Sequence, residues 1–194
     1  MRLLRSISFA AGICVGMGAT ALTPAMAQDR SFGLSPASLA VGGTATQTST
    51  VNLPKSGTGI FYINFVVPSD HAPNTNITVS VYMQAPVTSC TAATKLSSVT
   101  RRRVGSTSYN TSAPNVDRVA PFPKVETTAF PAAGTIVAKN YIVRRPQSGP
   151  FTKLLAGDGI GLRVDRVSTD PADTCDASVF VSHVDVRYTS VAAP

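Results

Sequence analysis

Four stretches of this chain alternate apolar and polar residues with a period of two, and no other feature restricts the fold as much. In the run 60–67, Phe61, Ile63, Phe65 and Val67 share one face, while Tyr62 and Asn64 share the other. In 76–84, Ile77, Val79, Val81 and Met83 oppose Thr78, Ser80, Tyr82 and Gln84. In 159–166, Ile160, Leu162 and Val164 oppose Arg163 and Asp165. In 177–188, Phe180, Val184, Val186 and Tyr188 oppose His183, Asp185 and Arg187. Successive side chains of an extended strand point to opposite faces, so each run predicts a strand buried on one side. The runs 45–53, 96–104, 124–130 and 135–144 read as further strands, the last with apolar residues on both faces. No window of useful length carries the helical period.

Proline and glycine punctuate the joints. Pro54, Pro68, Pro73, Pro86, Pro131, Pro146 and Pro171 fall mostly between the runs, where a missing amide donor does least harm. About eight short strands separated by turn signals predict an all-β fold, an antiparallel sandwich of jelly-roll type. The run from Ala156 to Arg166, then Asp170-Pro171-Ala172-Asp173-Thr174, then a long alternating strand ending at Tyr188 resembles the closing hairpins of jelly-roll modules. Such modules occur in bacterial secreted proteins and phage structural proteins. The step Val66-Val67-Pro68-Ser69-Asp70 is similar to their early portion, and the resemblance spans about residues 58–188. It implies architecture and no reaction, because one fold hosts many functions.

The first 27 residues read as a cleavable secretory signal. Arg2 and Arg5 give a positive start, the stretch from Ile7 to Ala21 is uncharged and apolar or small, and Ala25-Met26-Ala27 supplies an A-x-A cleavage site. Cys14 follows Ile13, where a lipoprotein signal needs a small residue. The expected mature chain therefore starts at Gln28, with a loose arm over 28–43 and a single sandwich domain over 44–194. Such a chain is secreted or periplasmic, and it carries no second apolar segment long enough to span a membrane. An export signal also counts against the phage-particle branch of the resemblance. With Arg2 and Arg5 removed, 15 lysines and arginines face ten acidic residues, a net charge of about +5. That balance favours anionic partners. The basic residues are scattered and fit no nucleic-acid-binding motif.

Cys90 and Cys175 form an even pair in an oxidising compartment, which predicts a structural disulfide. The densest polar segment holds Asp165, Asp170, Asp173 and Asp176. Carboxylates gathered on a turn can supply the oxygen ligands of calcium, making these four the candidate ligands and calcium the one candidate cofactor. The plainer account is turn formation plus pairing with Arg163 and Arg166. The same carboxylates could be imagined as a glycosidase pair, but nothing in the spacing sets two of them across a cleft. The chain has two histidines, His71 and His183, and no G-x-S-x-G elbow, H-E-x-x-H motif or phosphate loop. A non-catalytic protein is expected.

Arg101-Arg102-Arg103 is the strongest basic run, and Arg144-Arg145 is the second. Guanidinium groups can hold anionic glycans through paired hydrogen bonds, although a basic strand end also serves to guard a sheet edge. Tyr62 and Tyr82, with Tyr109, are the outward aromatics that could stack on sugars, and the chain has no tryptophan. The expected role is a secreted module binding carbohydrate or envelope polymer through Tyr62, Tyr82 and Arg101 to Arg103. The alternative is a structural protein assembling into homo-oligomers.

Overall fold

The computed structural model describes residues 28–34, 40–41, 50–56, 59–103, 116–119, 124–143 and 154–191. Their regular structure is all strand: β1 Gln28–Leu34, β2 Ala40–Val41, β3 Val51–Leu53, β4 Gly59–Val66, β5 Ile77–Gln84, β6 Cys90–Arg102, β7 Val116–Val119, β8 Glu126–Phe130, β9 Val137–Val143, β10 Gly159–Arg166 and β11 Val179–Ser190. They form two antiparallel sheets packed face to face. The first runs β1-β11-β5-β9, with β3 also on β11. The second runs β2-β4-β10-β6-β7, with β8 also on β6. Eight of the strands give the four-stranded orders β3-β11-β5-β9 and β4-β10-β6-β8, which is the jelly-roll arrangement. The two longest strands each carry two short ones on a single edge. Along β11, β3 takes Val179–Val181 and β1 takes Val184–Ser190. Along β6, β8 takes Cys90–Thr94 and β7 takes Val99–Arg102.

The core is the set of inward faces read from the alternation. Phe61, Ile63, Phe65, Ile77, Val79, Val81, Met83, Ile160, Leu162, Val164, Val184 and Val186 are all buried between the sheets. Two departures have physical causes. The pairing of β11 with β5 slips one residue between Val181 and His183. This bulge reverses the phase, so Val179 and Val181 face inward and Phe180 does not. In the ambiguous run, Tyr141 and Val143 take the core side while Ile142 is half exposed.

The expected loose arm is corrected over residues 28–34. These form β1, paired in continuous register with β11 from Gln28↔Ser190 to Leu34↔Val184. Phe32 and Leu34 pack on the core, with the Phe32 ring edge-on to Phe65 at 6.1 Å. Arg30 reaches Asp70 at 3.0 Å, and Asp70 also accepts the Tyr188 hydroxyl at 2.9 Å.

Cys90 and Cys175 form the expected disulfide, across 85 residues of chain. Closing a loop of that length contributes about 4–5 kcal/mol in the chain-entropy picture. Beside it lies a fully buried ion pair between Arg166 and Asp173. Arg166 Nε and Nη2 donate to the two Asp173 oxygens at 2.9 and 2.8 Å. The same guanidinium donates to the carbonyls of Leu53, Cys175 and Ala177. Asp173 also accepts the Ala93 amide at 3.1 Å and Lys55 Nζ at 3.4 Å. Burial alone would raise the Asp173 carboxyl. Hydrogen bonds from Arg166 and Ala93, with the charges of Arg166 and Lys55, outweigh it and hold the group below its ordinary value.

Asp173→Asn is expected to destabilise the fold by about 3–5 kcal/mol, because it leaves Arg166 buried without its counter-charge. A carboxylate with a lowered folded-state pKa adds stability above its unfolded value, and that stability is lost as pH falls through the folded value. The difference between wild type and variant should therefore shrink below about pH 4. Urea unfolding across pH checks both statements. A constant difference down to pH ~2 would contradict the second.

Candidate functional site

Strand β10 runs through the middle of the second sheet, and its outward positions begin with two glycines. Gly159 lies opposite Val66 on β4 and Arg102 on β6. Gly161 lies opposite Asn64 and Thr100, and Arg163 opposite Tyr62 and Ser98. Three cross-strand rows result. The first two have side chains on both flanks and none at the centre, which leaves an open trough of about 520 Å³ lined by these nine residues and their neighbours.

The trough is closely fitted. A Cβ at Gly161 would come 3.0 Å from Asn64 Oδ1 and 3.8 Å from Thr100 Cβ. A Cβ at Gly159 would lie 3.7 Å from Arg102 Nε, so the Arg102 side chain leans over that glycine. Glycine within a strand commonly marks a place where another molecule can approach the backbone. Val66 stands at the rim, 60% exposed although apolar. At the other end Arg163 is held flat by Asp165 through Nε–Oδ1 (2.8 Å) and Nη2–Oδ2 (3.1 Å), and Ser97 Oγ donates to the same carboxylate at 2.6 Å. Beyond Gly159 the chain is anchored by Asp158, which accepts the Leu155 amide at 2.8 Å and pairs with Arg103 at 2.7 Å. The floor and walls thus present amide and hydroxyl groups, a phenol, an apolar rim and two guanidinium groups.

The arginine run is divided by the strand period. Arg101 turns inward and is buried, Arg102 lines the trough, and Arg103 is tied to Asp158. Tyr62 lines the trough as well. Tyr82 does not. It lies on the outer face of the first sheet, 5.6 Å from the His183 ring, with Arg187 donating to its hydroxyl at 3.3 Å. Tyr62 and Tyr82, named together as candidate glycan contacts, therefore stand on opposite faces of the sandwich and do not form one site. Tyr109, Arg144 and Arg145 lie outside the described residues.

The four aspartates do not converge either. Asp165 is taken by Arg163 and Ser97, and Asp173 by Arg166 and Lys55. Asp170 accepts the Ala172 amide within its own turn, and Asp176 is exposed. Among the described residues no three His, Cys, Asp or Glu side chains are grouped to hold a metal ion. Three of the four candidate calcium ligands, Asp165, Asp170 and Asp173, are thus engaged in ion pairs or a turn bond. His71 is buried, with Thr75 Oγ1 at 3.3 Å from its Nε2, and burial holds its pKa below the ordinary value. His183 is exposed on the first sheet.

Sequence reasoning missed Gly159, Gly161, Asn64, Val66 and Thr100 as parts of a site. The signal available was the Gly-x-Gly at outward positions of an otherwise regular alternation.

No family model and no curated protein matches the chain. Solved structures to which it is similar include a carbohydrate-binding module, TmCBM61, in complex with beta-1,4-galactotriose. That match is at 13% identity and a TM-score of 0.27, covering 83% of this chain and 86% of the other. Another is the structure of infectious bursal disease virus Gx strain, at 11% identity and a TM-score of 0.28. It covers 86% of this chain, which spans 37% of the viral one. Among the described residues no helix is long and apolar enough to cross a membrane. The disulfide is compatible with an extracellular protein.

Asp158→Ala is expected to cost roughly 1–3 kcal/mol, because the half-buried Leu155 amide and Arg103 lose an acceptor. The expected sign is faster amide exchange at Leu155, with protection in the β5–β11 ladder unchanged. Uniform loss of protection would show that Asp158 supports the whole fold instead.

Proposed function

We propose that this chain is a secreted, non-catalytic module that binds carbohydrate or another cell-envelope polymer across the outer face of its second sheet. The observation that carries this reading is the trough over Gly159 and Gly161, floored by backbone and walled by Tyr62, Asn64, Thr100 and Arg102. An open groove across three strands suits an extended chain. Its amide and hydroxyl groups match sugar hydroxyls, and a tyrosine offers an apolar ring face with a polar tip. Export through the 1–27 leader is part of the proposal, and the disulfide is in keeping with it.

Affinity electrophoresis through gels containing neutral and acidic polysaccharides tests the reading. Tyr62→Ala should weaken retention about tenfold, the effect of losing roughly 1.4 kcal/mol of contact. Gly161→Leu should abolish retention by filling the trough, with its melting curve showing that the fold survives. Tyr82→Ala, on the opposite sheet, should leave retention unchanged. Equal losses from both tyrosine variants, or retention that ignores Gly161→Leu, would overturn the assignment of the face.

A second reading, assembly into homo-oligomers, draws on one observation. Among the described residues β9 pairs only with β5, and Ile136 just before it and Ile142 on it are 57% and 50% exposed. An edge strand carrying apolar side chains can accept another strand. Light scattering should then show a stable multimer that Ile142→Lys disperses. A monomer at all concentrations would remove this reading.

A further inference from the structure

We infer that strand β1 is a pH-sensitive latch, fastened through Asp70 at neutral pH and released when the buried His71 takes up a proton. The latch belongs to the first sheet and does not depend on the groove of the second.

Among the strands whose side chains are described, β1 alone has no fully buried residue. A strand with so little buried surface can open locally while the rest of the fold stays closed. Its side chains are fastened at few points. Phe32 packs edge-on to Phe65 and to Tyr188, with ring centres 6.1 and 6.3 Å away. Arg30 Nη1 reaches Asp70 Oδ2 at 3.0 Å, Ser190 Oγ donates to the Gln28 carbonyl at 3.0 Å, and Thr189 Oγ1 donates to Asp29 at 3.3 Å.

Asp70 lies in the loop between β4 and β5, and that loop is clamped to the end of β11. The Ala72 amide donates to the Thr189 carbonyl at 2.8 Å, the Val191 amide to the Asp70 carbonyl at 2.6 Å, and His71 bridges Ser190. The Asp70 carboxylate thus joins three elements, with Arg30 of β1 on one oxygen and the Tyr188 hydroxyl of β11 on the other.

His71 is the next residue and is only 3% exposed, with its ring centre 6.2 Å from that of Tyr188. The Thr75 hydroxyl already donates to the Ala72 carbonyl, so towards His71 Nε2, 3.3 Å away, it accepts. The neutral ring therefore carries its hydrogen on Nε2, and Nδ1 makes no hydrogen bond among the described residues. A proton added at Nδ1 creates a buried cation. The Asp70 charge and the Thr75 backbone favour its uptake, but burial opposes it more strongly and holds the pKa below the ordinary value. The charged and titratable groups around the ring are Asp70 on its own loop, Arg30 on β1 and Tyr188 on β11, with Asp29 further along β1 on Thr189.

Once charged, His71 competes with Arg30 for Asp70, and the two cations repel each other across it. Opening β1 removes Arg30 and uncovers the Tyr188 flank of the ring, which admits water to the charge. The proton is thus held more tightly in the open form. The closed form is fully favoured above the ordinary histidine value of 6.5, and it loses ground as pH falls from there towards the lowered value. Release bares the β11 edge from Val184 to Ser190.

Hydrogen exchange of the purified chain, expressed as protection factors to remove the intrinsic effect of pH, tests the latch alongside an NMR titration of the two histidine rings. His183→Gln assigns the two ring signals. Protection of β1 is expected to fall about tenfold between about pH 7.5 and 5, while β5 and β10 keep theirs. The fall should level off where the His71 ring titrates. His71→Gln should make β1 protection independent of pH over this range. Arg30→Gln should lower β1 protection at neutral pH and, by freeing Asp70, move the His71 titration to higher pH. A purely structural role for Arg30 would not move that titration. Melting curves establish that the variants fold, and the wild-type exchange and titration decide the matter should His71→Gln not fold. Protection of β1 that ignores pH, equal loss from β1 and the core, or loss confined to the loop carrying His71 would each overturn the latch. So would a His71 ring titrating at or above the ordinary value, or pH dependence that survives His71→Gln. An unmoved His71 titration in Arg30→Gln would overturn the competition for Asp70.

Discussion

The buried pair of Arg166 and Asp173 organises the end of the sandwich where the chain is hardest to hold together. Four segments with little sequence proximity meet there: the end of β3, the first part of β6, the end of β10 and the loop leading to β11. Taking two charges out of water is costly, and the cost is offset only when their remaining hydrogen-bonding capacity is satisfied. Here the guanidinium meets three carbonyls and both carboxylate oxygens, while the carboxylate gains a backbone amide and Lys55. The disulfide fixes the same loop one step further along, at Cys175. Together they turn a loop of turn-forming residues into a rigid part of the fold.

That rigidity reaches the candidate site through a single strand. On β10 the inward positions are Ile160, Leu162, Val164 and Arg166, and the outward positions are Gly159, Gly161, Arg163 and Asp165. Arg166 anchors the strand from the core side, and the alternating pattern then sets the two glycines outward on a sheet with β4 and β6 on either side. Because β10 is central, flanking side chains project past it and the missing ones leave a trough. The same two glycines on an edge strand would leave only a gap.

Much of the fold was legible because strand alternation is a local property. Phe61 to Val67 and Ile77 to Met83 could be assigned to a core face from neighbours two residues away. What failed was whatever depended on partners distant in sequence. A bulge at Ser182 is a property of the pairing between β11 and β5, so Phe180 was placed in the core by a phase that holds only beyond the bulge. Tyr62 and Tyr82 both read correctly as outward, but alternation cannot say which of two sheets a strand joins. Asp173 looked like a member of an acidic turn because Lys55 and Ala93 are 118 and 80 residues away. The Gly-x-Gly of β10 was in plain view, and its meaning depended on Asn64 and Thr100 standing across from it.

The arrangement of β6 carries a consequence for how such a protein can change. Its first residue, Cys90, lies in the disulfide, and Thr94 is paired with Arg166, while Ser98, Thr100 and Arg102 at its other end line the trough. The bonds that hold the fold and the residues that line the trough are thus separated along the length of one strand. Substitutions at Asn64, Val66, Thr100 or Arg102 alter the face offered to a ligand without touching the bonds around Asp173. A scaffold of this kind can change the chemistry of that face in small steps, each tolerated by the fold.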